Sequence, residues 1–138
     1  MGSKESDRSV MSLDQLPIDY QFPLVSYELN RDLVTKYLEA VEEREDFLTV
    51  GLVPPLAIAA CAMTALSQSI KVPPGSIHAS QDFEFLKPVS VGATVGCGGK
   101  IAQKLERGRL KLIGIELHAL NEAQEIVLTG KATIAVPS

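Results

Sequence analysis

The 138-residue sequence has no tryptophan, and its aromatic side chains are four phenylalanines and three tyrosines. A core must therefore be assembled mainly from aliphatic side chains. Cysteine and histidine are scarce as well, with Cys61, Cys97, His78 and His118 as the only examples. None has the close spacing of a zinc or dithiol motif, so no metal is expected and both cysteines read as small buried apolar residues. Also missing are an apolar run of about 20 residues and an apolar stretch behind a basic N-terminus, which leaves membrane span and secretory signal unsupported. The expectation is a cytoplasmic protein with no membrane partner. Thirteen basic residues, scattered among seventeen acidic ones for a net charge of -4, argue against a nucleic-acid partner.

What the chain does have is one long stretch without charge, Pro54 to Ile70. Prolines fit the first turn of a helix and the alanines, leucines and methionine behind them favour one, so Pro54 and Pro55 mark a helix start. A helix apolar all round is a buried helix. Its small side chains let a sheet lie close, and the rest of the chain supplies that sheet. At this length a single core is expected.

In chain order, residues 1–12 are polar, small and aperiodic, and read as a disordered tail before one domain over 13–138. Phe22 to Tyr27 is a strand candidate. Asn30 caps a helix from Arg31 to about Glu43, in which Leu33, Val34, Tyr37, Leu38 and Val41 repeat at helical spacing. Arg44 to Val53 connects this helix to the buried one and holds two candidate carboxylates, Glu45 and Asp46. After the turn Val72-Pro73-Pro74-Gly75, Ser76 to Leu86 alternates, with Ile77, Ala79, Gln81, Phe83 and Phe85 on one face. His78, Ser80, Asp82 and Glu84 fall on the other. Pro88 to Gly92 bends the chain, and strands follow at Thr94 to Leu105, Arg109 to Leu120 and Glu125 to Val136. Gly130 reads as a bulge in the last one. Short connections predict that these four strands form an antiparallel meander.

An antiparallel sheet wrapped around one apolar helix is the α+β architecture called the hot dog. Such a sheet leaves a strand edge open, so a dimer is expected. The run Phe83-Glu84-Phe85-Leu86-Lys87-Pro88-Val89-Ser90-Val91-Gly92-Ala93-Thr94-Val95 resembles the F-x-F-x-x-P-V-x-x-G-x-x-V pattern of the MaoC-like hydratases and dehydratases. The resemblance covers roughly Leu16 to Val136, and it speaks for the fold more than for an activity.

The resemblance implies an acyl-CoA-type thioester as substrate or ligand, with no other cofactor. It also implies two departures from an active hydratase. Catalytic members carry D-x-N-P-x-H before the buried helix, the Asp and His acting as general base and acid on the added water. This chain lacks the motif, and Asp46 stands in for at most half of it. Catalytic members also polarise the thioester carbonyl with a backbone N–H at the start of the buried helix. Here Pro55 has none. The pair of prolines resembles the non-catalytic half of double-hot-dog dehydratases.

The resulting expectation is an acyl-thioester-binding, non-catalytic subunit of an (R)-specific enoyl-CoA hydratase or 3-hydroxyacyl dehydratase, as homodimer or as heteromer with a catalytic hot-dog chain. Pro55, Leu56, His78, Ser80 and Asp82 are the expected binding residues. Two alternatives stay open. One is a self-sufficient hydratase or thioesterase with His78 and Asp46 as catalytic groups, and the other a non-enzymatic acyl-ligand-binding protein. His118, with Glu116 near it, reads as part of a solvated face.

Overall fold

The computed structural model describes residues 11–40 and 51–137, and within them all side chains but those of Met11 and residues 37–40. The elements are β1 (Met11–Ser12), a 3-10 turn (Leu13–Gln15), β2 (Gln21–Glu28), α1 (Arg31–Ala40), α2 (Pro55–Ser69), β3 (Ile70–Lys71), β4 (Ile77–Phe85), β5 (Thr94–Arg107), β6 (Leu110–Leu120) and β7 (Ile126–Pro137). Five strands form one antiparallel sheet in the order β2-β5-β6-β7-β4, an α+β arrangement with α2 against it. β1 pairs in parallel with β3, so Met11 and Ser12, which the sequence assigns to the tail, belong to the fold.

The helices start where the sequence says. Asn30 Oδ1 accepts the Leu33 N–H at 2.9 Å, satisfying one of the donors orphaned at the start of α1. The expected end of α1 near Glu43 lies outside the described residues. In α2, Pro54 is the N-cap and Pro55 the first helical residue. Ala57, Ile58, Ala59, Cys61, Ala62, Ala65 and Leu66 are its buried residues. Each fully buried Ile or Leu contributes about 1.5–3 kcal/mol, so Ile58 and Leu66 are the largest apolar contributions on the helix's buried side. The helix is not buried all round, since Leu56 stays 54% exposed.

The sheet's inner face supplies Val95, Cys97 and Ile101 from β5, Ile113, Ile115, Leu117 and Ala119 from β6, and Leu128, Ala132 and Ile134 from β7, all buried. Two clusters share this core. One joins Ala57, Ile58 and Ala62 to Val53, Val89 and Leu128, and the other joins Leu66 and Ile70 to Ile113, Ile134 and Val136.

Two expectations are corrected here. The four later strands are not one meander, because β4 pairs with β7 and only β5, β6 and β7 follow one another. The Pro88–Gly92 bend does not turn β5 back on β4. Its residues pair instead with the segment before α2, as Val53 N–H donates to Val89 O and Val91 N–H to Gly51 O, and the chain crosses to β2. Gly130 is no bulge, since it pairs in register with both Phe83 and Leu117. Its missing side chain makes room, because a Cβ there would lie 2.7 Å from the Phe83 ring and 2.9 Å from the Asp82 carbonyl oxygen.

The outer face carries a row of opposite charges. Lys100, Glu116, Lys131 and Asp82 are successive cross-strand partners through β5, β6, β7 and β4. Opposite charges in such positions each stabilise by roughly 0.2–1 kcal/mol.

Candidate functional site

The segment 51–53 is zipped onto 89–91, which fixes the entry into α2. Leu52 and Ser90 form an isolated bridge, and Pro54 behind it is buried with φ -59° and ψ 135°. Ala57 N–H donates back to Pro54 O at 2.9 Å. Pro54 and Pro55 have no N–H, so Leu56 is the first residue of the helix that carries one. A helix start whose first donors are missing has a weakened pull on a developing oxyanion.

His78 is held differently from the sequence expectation. The β4–β7 register shifts between His78 and Ser80, with Ala79 as the extra residue. A single inserted residue turns every side chain before it to the opposite face. His78 thus opposes Ile134 and shares the helix side of the sheet with Gln81, Phe83 and Phe85. Ser80 and Asp82 oppose Thr133 and Lys131 on the outer face. The expected grouping of His78 with Ser80, Asp82 and Glu84 is therefore corrected.

The missed partner of His78 is Gln81. Its amide nitrogen donates to Lys131 O at 3.1 Å and to Asp82 O at 3.3 Å, which leaves Oε1 to accept from His78 Nε2–H at 3.0 Å. In the neutral ring Nδ1 then keeps the free lone pair. A glutamine between the apolar Ala79 and Phe83 was the one available signal, and it said nothing of the bulge that sets the two side chains together.

Within one chain the candidates stand apart. His78 opposes Ile134, which packs with Leu66 and Ile70 at the end of α2, whereas Phe85 opposes Leu128, which packs with Ala57 and Ile58 at its start. Seven residues of strand separate them, about 20 Å at 3.3 Å per residue. His78 and the Pro55–Leu56 turn thus lie at opposite ends of the helix. Asp46 and Glu45 lie outside the described residues.

Among the described residues the remaining titratable groups give no second centre. Among the described residues no cluster of three His, Cys, Asp or Glu side chains is placed to hold a metal. Burial pushes the Cys97 thiol up to about 12, with Cys61 adding to the effect. Such a thiol is inert at neutral pH. A groove of about 760 Å³ lies on the outer face, with Leu24, Asp82, Glu84, Lys100 and His118 among its walls. It includes neither Pro55, Leu56, His78 nor Ser80, and the charged row crosses it. His118 leans over Gly98, where a Cβ would lie 3.4 Å from its ring, and burial lowers the pKa of the imidazole. The sequence placed His118 on a solvated face, and the side is right although the ring is half-buried.

No protein-family model matches the sequence, and neither does any curated protein sequence. Solved structures do match. The (R)-hydratase from A. caviae involved in PHA biosynthesis aligns with TM-score 0.73 and 18% identity, over 89% of this chain and 98% of its own. The MaoC-like dehydratase from Rhodospirillum rubrum gives TM-score 0.73 and 14% identity, over 91% and 96%. The ChsH1-ChsH2 complex from Mycobacterium tuberculosis gives TM-score 0.70 and 13% identity, over 88% and 99% of the matching chain. At these identities the finding is one of fold, and the chain has the hot-dog fold of the MaoC-like proteins. No described helix is long and apolar enough to cross a membrane.

Proposed function

We propose that this chain binds an acyl-CoA-type thioester at the first turn of α2 and serves as the non-catalytic subunit of a hydratase or dehydratase assembly, beside a catalytic chain of the same fold. The observation that carries the reading is Pro54-Pro55 at the head of α2, in a fold shared with an (R)-hydratase and a MaoC-like dehydratase. The helix start that would hold the thioester carbonyl keeps its shape and loses a donor. Removing one oxyanion donor typically costs about 10² to 10³ in rate. His78 adds no general base there, being at the far end of α2. The similarity to a chain of the ChsH1-ChsH2 complex supports an assembly of unlike chains. The buried thiols of Cys61 and Cys97, in no disulfide, suit a reducing, cytoplasmic setting.

The test combines a rate and a melting curve. The purified protein is expected to show no hydration of crotonyl-CoA. It should nevertheless melt higher with acyl-CoA present. A ligand at about 100 times its Kd adds about 2.7 kcal/mol to the native state. For a chain of this size that is on the order of 8 °C in Tm. Rapid hydration by the protein alone would sink the non-catalytic role, and an unchanged Tm with every thioester would sink the binding role.

A further inference from the structure

The outer face of the sheet carries a groove that the thioester reading leaves unused. Its volume of about 760 Å³ falls within the range of about 300–1,000 Å³ that small-molecule sites occupy. Cross-strand register orders its floor in three rows. The first is the charged one, in which Lys131 stands between Glu116 and Asp82. Two residues further along the strands, Thr129 stands between His118 and Glu84. The third row sets Leu120 opposite Ile126, which is 45% exposed. Leu24 leans in from β2, where a Cβ at Gly98 would lie 2.9 Å from it. From Glu116 to Leu120 is four residues, about 13 Å at 3.3 Å per residue. The groove is thus charged at one end and apolar at the other, with an imidazole and a hydroxyl between.

The unpaired groups decide what can lie there. Lys100 and Glu116 have each other at 3.9 Å. Among the described residues the side chains of Lys131, Asp82, Glu84, His118 and Thr129 make no ion pair or hydrogen bond. A ligand of one sign is poorly served by them. An anion at Lys131 has Asp82 and Glu116 on either side, and a cation between Asp82 and Glu84 has Lys131 beside it. Like charges at such spacing repel. A ligand with both signs a few bonds apart meets an opposite charge at each. His118 adds no charge at pH 7, because burial lowers its pKa and keeps the ring mainly neutral.

We infer that the outer groove binds an α-amino acid with a large apolar side chain, its ammonium at Asp82 and Glu84, its carboxylate at Lys131 and its side chain over His118 toward Leu120 and Ile126. The flat imidazole suits a ring laid against it, and aromatic pairs gain beyond the area they bury. Phenylalanine therefore fits the class best. The three charged partners are exposed, so each contact is screened by solvent. A ligand of this size then binds with a Kd on the order of 1 mM. The groove and the first turn of α2 lie on opposite faces of the sheet, so the two sites neither compete nor depend on one another.

Titration of the ¹⁵N-labelled chain with L-phenylalanine tests it. The amide signals of His118, Thr129 and Lys131 should shift, and those of Leu56 and Ala57 should not. Phenylalaninamide lacks the carboxylate and N-acetylphenylalanine lacks the ammonium, so each should bind about fivefold more weakly, the worth of one exposed ion pair. Glycine, which has both charges and no side chain, should not bind measurably. Lys131→Gln, an exposed substitution that leaves the fold intact, should weaken L-phenylalanine by the same factor and leave phenylalaninamide unchanged. Absence of any shift at concentrations far above 1 mM would overturn the inference. Equal affinities for the amino acid and its two analogues, shifts confined to Leu56 and Ala57, or a Lys131→Gln variant that binds L-phenylalanine as the wild type does would overturn it as well.

Discussion

β6 and β4 belong to the same sheet and carry comparable apolar side chains, yet only one is completed by its own chain. β6 lies between β5 and β7, and its Ile113, Ile115, Leu117 and Ala119 are all buried under α2. β4 has Ile77, Phe83 and Phe85, pairs on one side only and leaves most of its residues exposed. Apolar content alone does not decide whether a strand is a core strand. Position in the sheet order does, and the difference marks where the molecule is unfinished.

The sharpest way to break this comparison is to truncate one side chain from each strand. Ile115→Ala in β6 should cost about 2–5 kcal/mol, the range for buried Ile truncation, read by denaturant titration. Ile77→Ala in β4 should stay within about 0.5 kcal/mol in dilute protein, as surface substitutions do. It should however reduce the rise of Tm with protein concentration that an associating chain shows. Equal losses in dilute solution would mean that the monomer already completes β4.

A second variant tests how tightly the middle strands are joined. A Cβ at Gly99 would fall on the carbonyl oxygen of Glu116. Backbone cannot yield as a side-chain tip does, so Gly99→Ala should destabilise by about 1–3 kcal/mol, as overpacking does. The inner face also predicts thiol behaviour. Cys61 and Cys97 are fully buried, and burial pushes the Cys97 thiol up to about 12. A thiol reagent at pH 8 should modify neither in the native protein and both in denaturant. Fast native modification of either would show that the helix side of the sheet is not sealed.

The smallest effect expected is on the outer face. Burial lowers the pKa of His118 in the folded chain below the ordinary histidine value of 6.5. Between that lowered pKa and 6.5 the unfolded chain binds more protons, so stability should rise with pH across this window. The contribution is complete above 6.5 and lost below the folded pKa. The effect is modest because the ring is partly solvated. His118→Gln should flatten this slope in urea titrations between pH 5 and 7, and an unchanged slope would assign it to other groups.

The sequence made the fold readable because its two strongest signals were physical necessities. A charge-free α2 needs a cover, and the run of strand candidates after Gly75 provides one. The order of strands was not readable, since the partner of β4 is chosen by the fit of Phe83 against Gly130 and by the pairing of 51–53 with 89–91, contacts between distant parts of the chain. At the site, Pro55 was legible because a missing N–H is a covalent fact. The face of His78 was not, because one inserted residue at Ala79 inverts the alternation and no residue type announces it. Asp46 lies outside the described residues.

The row formed by Lys100, Glu116, Lys131 and Asp82 bears on how this protein can grow into larger particles. A second sheet laid over that face would have to strip water from four charges that already neutralise one another, and it would gain no new ion pair in return. Stacking is thus the disfavoured direction. Addition at the β4 edge keeps every one of those charges wet, so an associating chain should leave the charged face to solvent, with the helices on the other side.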